Sequence, residues 1–387
     1  MNARLILRAL RRRPSSRVAM TAATALSMLL GLPAIAAATV LHATPGTLAS
    51  TFASAQGGDT ILLASGSYGT WSGGSKASPV TLSPEAGASP AIGVDFGSNV
   101  SNVTLDGFAA VGGQNIAGSK NVTISNSTFT DGLAITGSNT NVVLDHDTFN
   151  NLGQATWEGR LSIQGSGVTV KNSLFSGNAG CSDGIFVGGS GNTIGPGNEF
   201  TGIKQASCSS HDDSIQLYTG PRTTIIGNYF HDSDTNIMAP DGGDHSVISD
   251  NVFVVSGYEP AVQLGSHIGT TFIHNTVVGI DVHMDSKSGS PASSGGVLRD
   301  NVMVRKGTGA SFDTTSGSGC SGCTTRYNLF SASADVSGTN SLLGTPVFVG
   351  GTNPTTYAGY QLAAGSPGKN NASDGTDRGA RTVAATP

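Results

Sequence analysis

The chain has 387 residues, 55 of them glycine, with 37% hydrophobic residues, 12% charged residues and a net charge of −5. That is about twice the average glycine share of roughly 7%, in a composition still apolar enough to fold, which excludes disordered and collagen-like chains. After its first residues the chain has no basic cluster, which excludes a nucleic-acid backbone as its partner.

The chain opens on Arg4, Arg8, Arg11, Arg12, Arg13 and Arg17, then an apolar run from Val18 to Leu32, then the small-residue sites Ala34-Ile35-Ala36 and Ala36-Ala37-Ala38. A positive n-region, an apolar h-region and a small-residue cleavage site define an export signal over residues 1–38. The apolar run is shorter than the ~20 residues of a spanning helix, so membrane contact is expected only through the cleaved signal. The mature protein is expected to be secreted or periplasmic, and monomeric. Four cysteines in an exported chain favour disulfides. Cys181 and Cys208 each precede one of two related strands, and Cys320 and Cys323 share a Gly/Ser loop.

Residues 39–100 read as an N-terminal cap and first coils. Leu48, Phe52 and Ala55 recur at helical spacing between Pro45 and Gln56, which predicts a short amphipathic capping helix. Gly58-Asp-Thr-Ile-Leu-Leu63 follows as a strand.

Residues 101–345 repeat one template of two alternating apolar positions, a polar turn and an aromatic anchor. NVTISNSTF from Asn121, NVVLDHDTF from Asn141 and RTTIIGNYF from Arg222 show it. The anchors Phe129, Phe149, Phe175, Phe200, Phe230, Phe253, Val277, Met303 and Phe330 recur at a mean of about 25 residues, and Phe108 extends the series by one coil. Two residues before the anchor stand Asn198, Asn228, Asn251, Asn275, Asn301 and Asn328. Asparagine at one position of successive coils predicts a stacked amide ladder with steps of ~4.8 Å. Short strands at this period, with no helix between them, predict an all-β fold, a right-handed parallel β-helix of about ten or more coils. Residues 346–387 close it.

These repeats, the Gly58 strand and the closing Asp374-Gly-Thr-Asp-Arg-Gly-Ala380 resemble the right-handed β-helix proteins of the pectin-lyase-like superfamily. The likeness spans most of the mature chain. It implies the fold and leaves the reaction open, because fold does not fix function.

Chemistry gathers where the strands begin. Aligning Leu161-Ser-Ile-Gln164 with Gly184-Ile-Phe-Val187, Ser214-Ile-Gln-Leu217, Asn236-Ile-Met-Ala239, Ala261-Val-Gln-Leu264 and Asp281-Val-His-Met284 puts Ile163, Ile185, Ile215, Ile237, Val262 and Val282 in the core. Gln164, Phe186, Gln216, Met238, Gln263 and His283 then line an outer face suited to a polysaccharide. Arg160, Lys204, Tyr218, His231 and Asp234 join it as substrate-binding candidates. Asp183, followed on the next coil by Asp212-Asp213 with His211 beside them, resembles the three-aspartate site of the polygalacturonase family. The resemblance implies Asp212 as acid and Asp183 and Asp213 as bases in glycosidic hydrolysis. The family's Gly-His-Gly and Arg-Ile-Lys segments are absent from this chain.

Two other functions stay open. A polysaccharide lyase would abstract a proton beside a uronate carboxylate, with no cofactor or with Ca²⁺ held by Asp212, Asp234 and Glu259. A non-catalytic glycan-binding or adhesin-like β-helix would use the same carboxylates as turn residues. A disulfide between Cys181 and Cys208 on adjacent coils would fix the aspartates of neighbouring rungs, since rung spacing suits the Cα separation of ~4.4–6.8 Å.

Overall fold

The computed structural model describes residues 38–150, 159–177, 182–204, 212–255, 260–286, 290–307 and 309–383. Residues 1–37 of the proposed signal and Cys181, Cys208, His211 and Glu259 lie outside the described residues. Among those residues no helix is long and apolar enough to cross a membrane.

In the later coils each of three faces receives its own strand. In chain order, Asp213–Leu217 lies on the first face, Thr224–Ile226 on the second and Tyr229–His231 on the third. The second face is a 13-stranded sheet running from Val40–Ala43 to Thr324–Arg326. The first and third faces form one 21-stranded sheet, because in early coils a single strand serves both. Ala110–Ala117 pairs through Val111 with Phe129 and through Asn115 with Ala134. Later coils break this strand in two, and the corner between third and first faces becomes the place where connections lengthen.

The sharp turn from second to third face has a backbone cause. Asn126, His146, Asn172, Asp250, His274, Asp300 and Tyr327 all take φ between +51° and +60°, and Gly197 and Gly227 take φ of +85° and +65°. Each stands directly before the ladder position. Left-handed backbone is tolerated best by glycine and next by asparagine and aspartate, which explains most of these choices.

The ladder forms as expected. Asn198 Nδ2 donates to Asn228 Oδ1 at 3.0 Å, Asn228 to Asn251 at 2.9 Å and Asn251 to Asn275 at 3.0 Å. Asn275 continues to Asn301 at 3.3 Å, and Asn301 to Asn328 at 3.0 Å. Each asparagine nitrogen also reaches a second-face carbonyl, as Asn251 reaches Ile225 O at 2.9 Å. Toward the N-terminus the same column continues as Ser173, Asp147 and Ser127. Complete satisfaction makes a buried amide column stabilising, since each orphaned group would cost about 1–3 kcal/mol.

Next to the ladder, the rings of Phe129, Phe149, Phe175, Phe200, Phe230 and Phe253 stack at centroid distances of 4.4 to 4.9 Å. Burying each ring contributes about 1.5–3 kcal/mol, and each offset pair about 0.5–1.5 kcal/mol more. Val277, Met303 and Phe330 continue the row in register. Phe108 does not. The partner of Phe129 is Val111, and Phe108 sits three residues earlier, bonded to the coil at Ser127 and Thr128. A longer early strand places Val111 at the anchor, which a repeat template cannot show.

The helix forms at Leu48–Ser54, and Leu48, Phe52 and Ala55 are buried. Phe52 packs edge-on to Trp71, and Trp71 to Phe96, so the helix closes the first coils. At the other end Arg378, within the closing motif, donates to Asn328 O, Asn340 O and Asn371 O. That guanidinium ties the last ladder residue to the C-terminal segment.

Candidate functional site

The first face runs through Gly159–Ile163, Asp183–Val187, Asp213–Leu217, Thr235–Ala239, Val262–Gly265, Val282–Asp285 and Phe312–Asp313. Ile185, Ile215, Ile237, Val262 and Val282 are in register and wholly buried, as the alternation requires. The adjacent row reads Ser162, Phe186, Gln216, Met238, Gln263, His283 and Asp313. Gln164 belongs two residues further on, because Leu161 pairs with Ile185 and Ile163 with Val187. A shift of two keeps Gln164 on the outer side while moving it off the row.

This row divides into two zones. At Phe186 and Gln216 it is buried, and Tyr218, half exposed, lays its ring 5.8 Å from Phe186. From Met238 to Asp313 it is partly open. There His283 Nδ1 lies 3.1 Å from Asp285 Oδ2, and Gln263 Nε2 donates to Asp285 Oδ1 at 2.8 Å. Burial raises the Asp285 carboxyl, against the pull of His283 and Gln263. Burial also acts to raise Asp313, but hydrogen bonds from Ser316 and Thr315 outweigh it and hold that carboxyl down to about 2.

Among the described residues His283, Asp285 and Asp313 form one group able to hold a metal, with ligand atoms within 4.8 Å of one another. The set differs from Asp212, Asp234 and Glu259. Imidazole and carboxylate donors fit a divalent ion, although Asp313 already accepts four hydrogen bonds from its own turn.

The three aspartates lie at the start of this face, by the corner that follows the third face. Asp183 is 5% exposed, Asp212 3% and Asp213 0%. Asp213 N–H donates to Asp183 Oδ1 at 2.8 Å, so the two are fastened across adjacent coils. Arg160, on the preceding coil, is 1% exposed and donates to Ser176 O at 2.6 Å and to Gly177 O. Burial lowers its pKa from the usual arginine range, and the charges of Asp212 and Asp183 pull it back up. The fold thus brings Arg160, Asp183, Asp212 and Asp213 to one corner. Register places Asp234 on the coil after Asp212, partly exposed, with its N–H on Ile203 O at 3.1 Å. Lys204 is exposed near the same corner, just past the third-face strand Glu199–Thr201.

His231 is elsewhere. It ends the third-face strand Tyr229–His231, where Phe230 points into the core, so its ring faces away from the first face. Proximity in sequence to Asp234 suggested the first-face groove, but the corner lies between them.

Asp313, Ser214 and Asn236 were not singled out by sequence, and Asp285 only as part of the stretch His283-Met-Asp-Ser-Lys287. Asp285 stands two residues from His283, which is a legible signal. Asp313 joins only through the register. Ser214 and Asn236 are wholly buried polar residues at the start of the face, and neither the hydroxyl of the first nor the amide of the second has a hydrogen-bond partner among the described residues.

A stack of parallel coils with an asparagine ladder and a polar first face defines a parallel β-helix protein. Residues 159–352 match the family described as right handed beta helix region, about half of the chain, and the protein belongs to that family. No curated protein matches the sequence. Among solved structures, a variant of the PL6 family alginate lyase AlyGC superposes with a TM-score of 0.51 at 13% identity, over 89% of this chain and 59% of that one. The chain therefore spans about three fifths of that enzyme. XylC in complex with xylose superposes with a TM-score of 0.52 at 10% identity, over 75% of this chain and 83% of that one. At these identities the likeness is one of fold.

Proposed function

We propose that the protein is an exported polysaccharide-processing β-helix that cleaves glycosidic bonds at the corner where its first face begins. The observation that carries this reading is the sequestered set of one guanidinium and three carboxylates, Arg160 with Asp183, Asp212 and Asp213, on three successive coils. Burying charge is costly, so such a set marks a functional centre more often than a turn. Carboxylates crowded together do not all ionise, and one that keeps its proton is the acid that glycosidic cleavage needs.

In this reading Asp212 gives its proton to the leaving oxygen, and Asp183 takes a proton from the water that adds to the anomeric carbon. Asp213 is a positioning residue, since its own N–H holds Asp183. The row of Gln216, Met238, Gln263 and His283, with the Tyr218 and Phe186 rings, supplies the contacts for a chain of sugars.

A second reading, elimination from a uronate polymer, is favoured by His283, Asp285 and Asp313. A divalent ion held there would neutralise a uronate carboxylate. One experiment separates the readings: the secreted protein is incubated with uronate-containing and neutral polysaccharides. New reducing ends with saturated products support hydrolysis, unsaturated products support elimination, and binding without cleavage defeats both. Asp212→Asn is expected to abolish hydrolysis while thermal unfolding stays nearly unchanged. Full activity in that variant would remove Asp212 from the mechanism.

A further inference from the structure

A cleft of about 490 Å³ opens on the third face, away from the residues discussed so far except His231. Its floor is the column continuing from His231 through Val254, Val278 and Val304. Its wall comes from the C-terminal segment, which packs Phe348, Tyr360 and Leu362 against Val252, Val278, Val302 and Leu329. Tyr229 is partly buried against this cluster, with its ring 4.4 Å from His231 and 6.1 Å from Tyr360. Thr352, Asn353, Pro354 and Thr355 form the rim.

The charges of the cleft are mostly committed. His231 Nε2 lies 2.8 Å from Glu199 and Nδ1 2.7 Å from Asp232, while Arg305 pairs with Asp335. Lys306 is exposed and has no ion-pair partner among the described residues. The cleft therefore joins aromatic rings and an apolar floor to polar rim groups and one spare cation, about 14 Å, or three coil spacings, from the His231 end.

Its volume is that of a small-ligand site. The third-face strands beneath it are hydrogen-bonded on both sides, so a peptide finds no free β-edge to extend. A single cation is too little for a nucleic-acid backbone. We propose that this cleft binds a uronate-bearing oligosaccharide, with sugar faces on Tyr229 and the valine floor, hydroxyls at Asp232 and Asn353, and a carboxylate at Lys306. The proposal does not depend on the first face being catalytic.

Hydrogen exchange of the full mature chain tests it, with tetragalacturonate and tetramannuronate as probes and maltotetraose as the neutral control. At least one uronate is expected to slow exchange at residues 229–232 and 352–355. Lys306→Glu should weaken that protection about tenfold, as for loss of an opposed charge at a binding rim, without changing cleavage at the first face. Since Lys306 is exposed, the variant should unfold at the wild-type temperature. Protection confined to residues 213–217 and 262–265, equal protection by maltotetraose, failure of both uronates to protect, or an unchanged response in Lys306→Glu would each overturn the proposal. Protection at the cleft with none at the first face would leave this site standing and remove uronates as first-face substrates.

Discussion

Asp147 occupies a position in the ladder column that asparagine fills in six later coils, and the exchange Asp147→Asn should make the protein more stable in a pH-dependent way. Its Oδ1 accepts the Ser127 N–H at 2.9 Å, but Oδ2 is buried with no hydrogen-bond partner among the described residues. Burial is the main cause that pushes this carboxyl from 3.8 to about 8, opposed by its backbone hydrogen bonds and assisted by the nearby charges of Asp145 and Asp106. The folded chain keeps the proton up to about pH 8, whereas the unfolded chain releases it near pH 3.8. Between those values the folded state binds one proton more, so stability falls as pH rises. At 1.36 kcal/mol per pH unit, the loss between pH 4 and pH 7 is about 4 kcal/mol. An asparagine keeps the Oδ1 acceptor, places an N–H donor where the ladder uses one, and does not titrate. Urea unfolding of both proteins at pH 4 and pH 7 should show near-equal stability at pH 4 and an advantage approaching 4 kcal/mol for Asp147→Asn at pH 7. Comparing two proteins at each pH cancels the other titrating groups. A difference that does not change with pH, or a variant less stable at pH 7, would refute the reasoning.

The opposite exchange tests the same column. Asn251→Asp places a carboxyl between Asn228 and Asn275, and unfolding midpoints should show it losing stability as pH rises from 4 to 7. Asn251→Ala removes the acceptor of the Asn228 N–H at 3.0 Å and the donor to Ile225 O at 2.9 Å. It should cost about 3–5 kcal/mol in denaturant titrations at all pH values, the sum of several groups left unsatisfied. Arg378→Met should free the C-terminal segment from Asn328, Asn340 and Asn371, costing about 3–5 kcal/mol as for removing one partner of a buried charged network, with faster proteolysis after residue 340 as the second readout. If proteolysis is unchanged, the closing motif is not what anchors the segment.

Much of the fold was legible because a β-helix writes its periodicity into the chain. Six asparagines two residues before an anchor, with an aromatic at the anchor, leave one arrangement in which amides and rings stack coil on coil. Where the period was least regular, the reading slipped. Phe108 was placed by template and Gln164 by its likeness to Gln216, yet strand length and the two-residue periodicity of the sheet moved both off their rows. The aspartates were visible as a local crowding of charge, and so was His283. The company they keep was not. Arg160 reaches the corner of Asp183 and Asp212 from the coil before, and Asp313 reaches Asp285 from the coil after, because neighbours in a stack are separated by a whole turn of sequence whose length varies.

By itself the sequence determined that this chain is a right-handed parallel β-helix with a stacked asparagine ladder, since local patterns repeated at one period permit few other burials. Tertiary structure alone decided that the aspartates are shut in with Arg160, that His231 belongs to a cleft on the third face, and that Asp147 holds a proton near neutral pH. Each of these follows from burial and from contacts between coils, and neither quantity is a property of any single repeat.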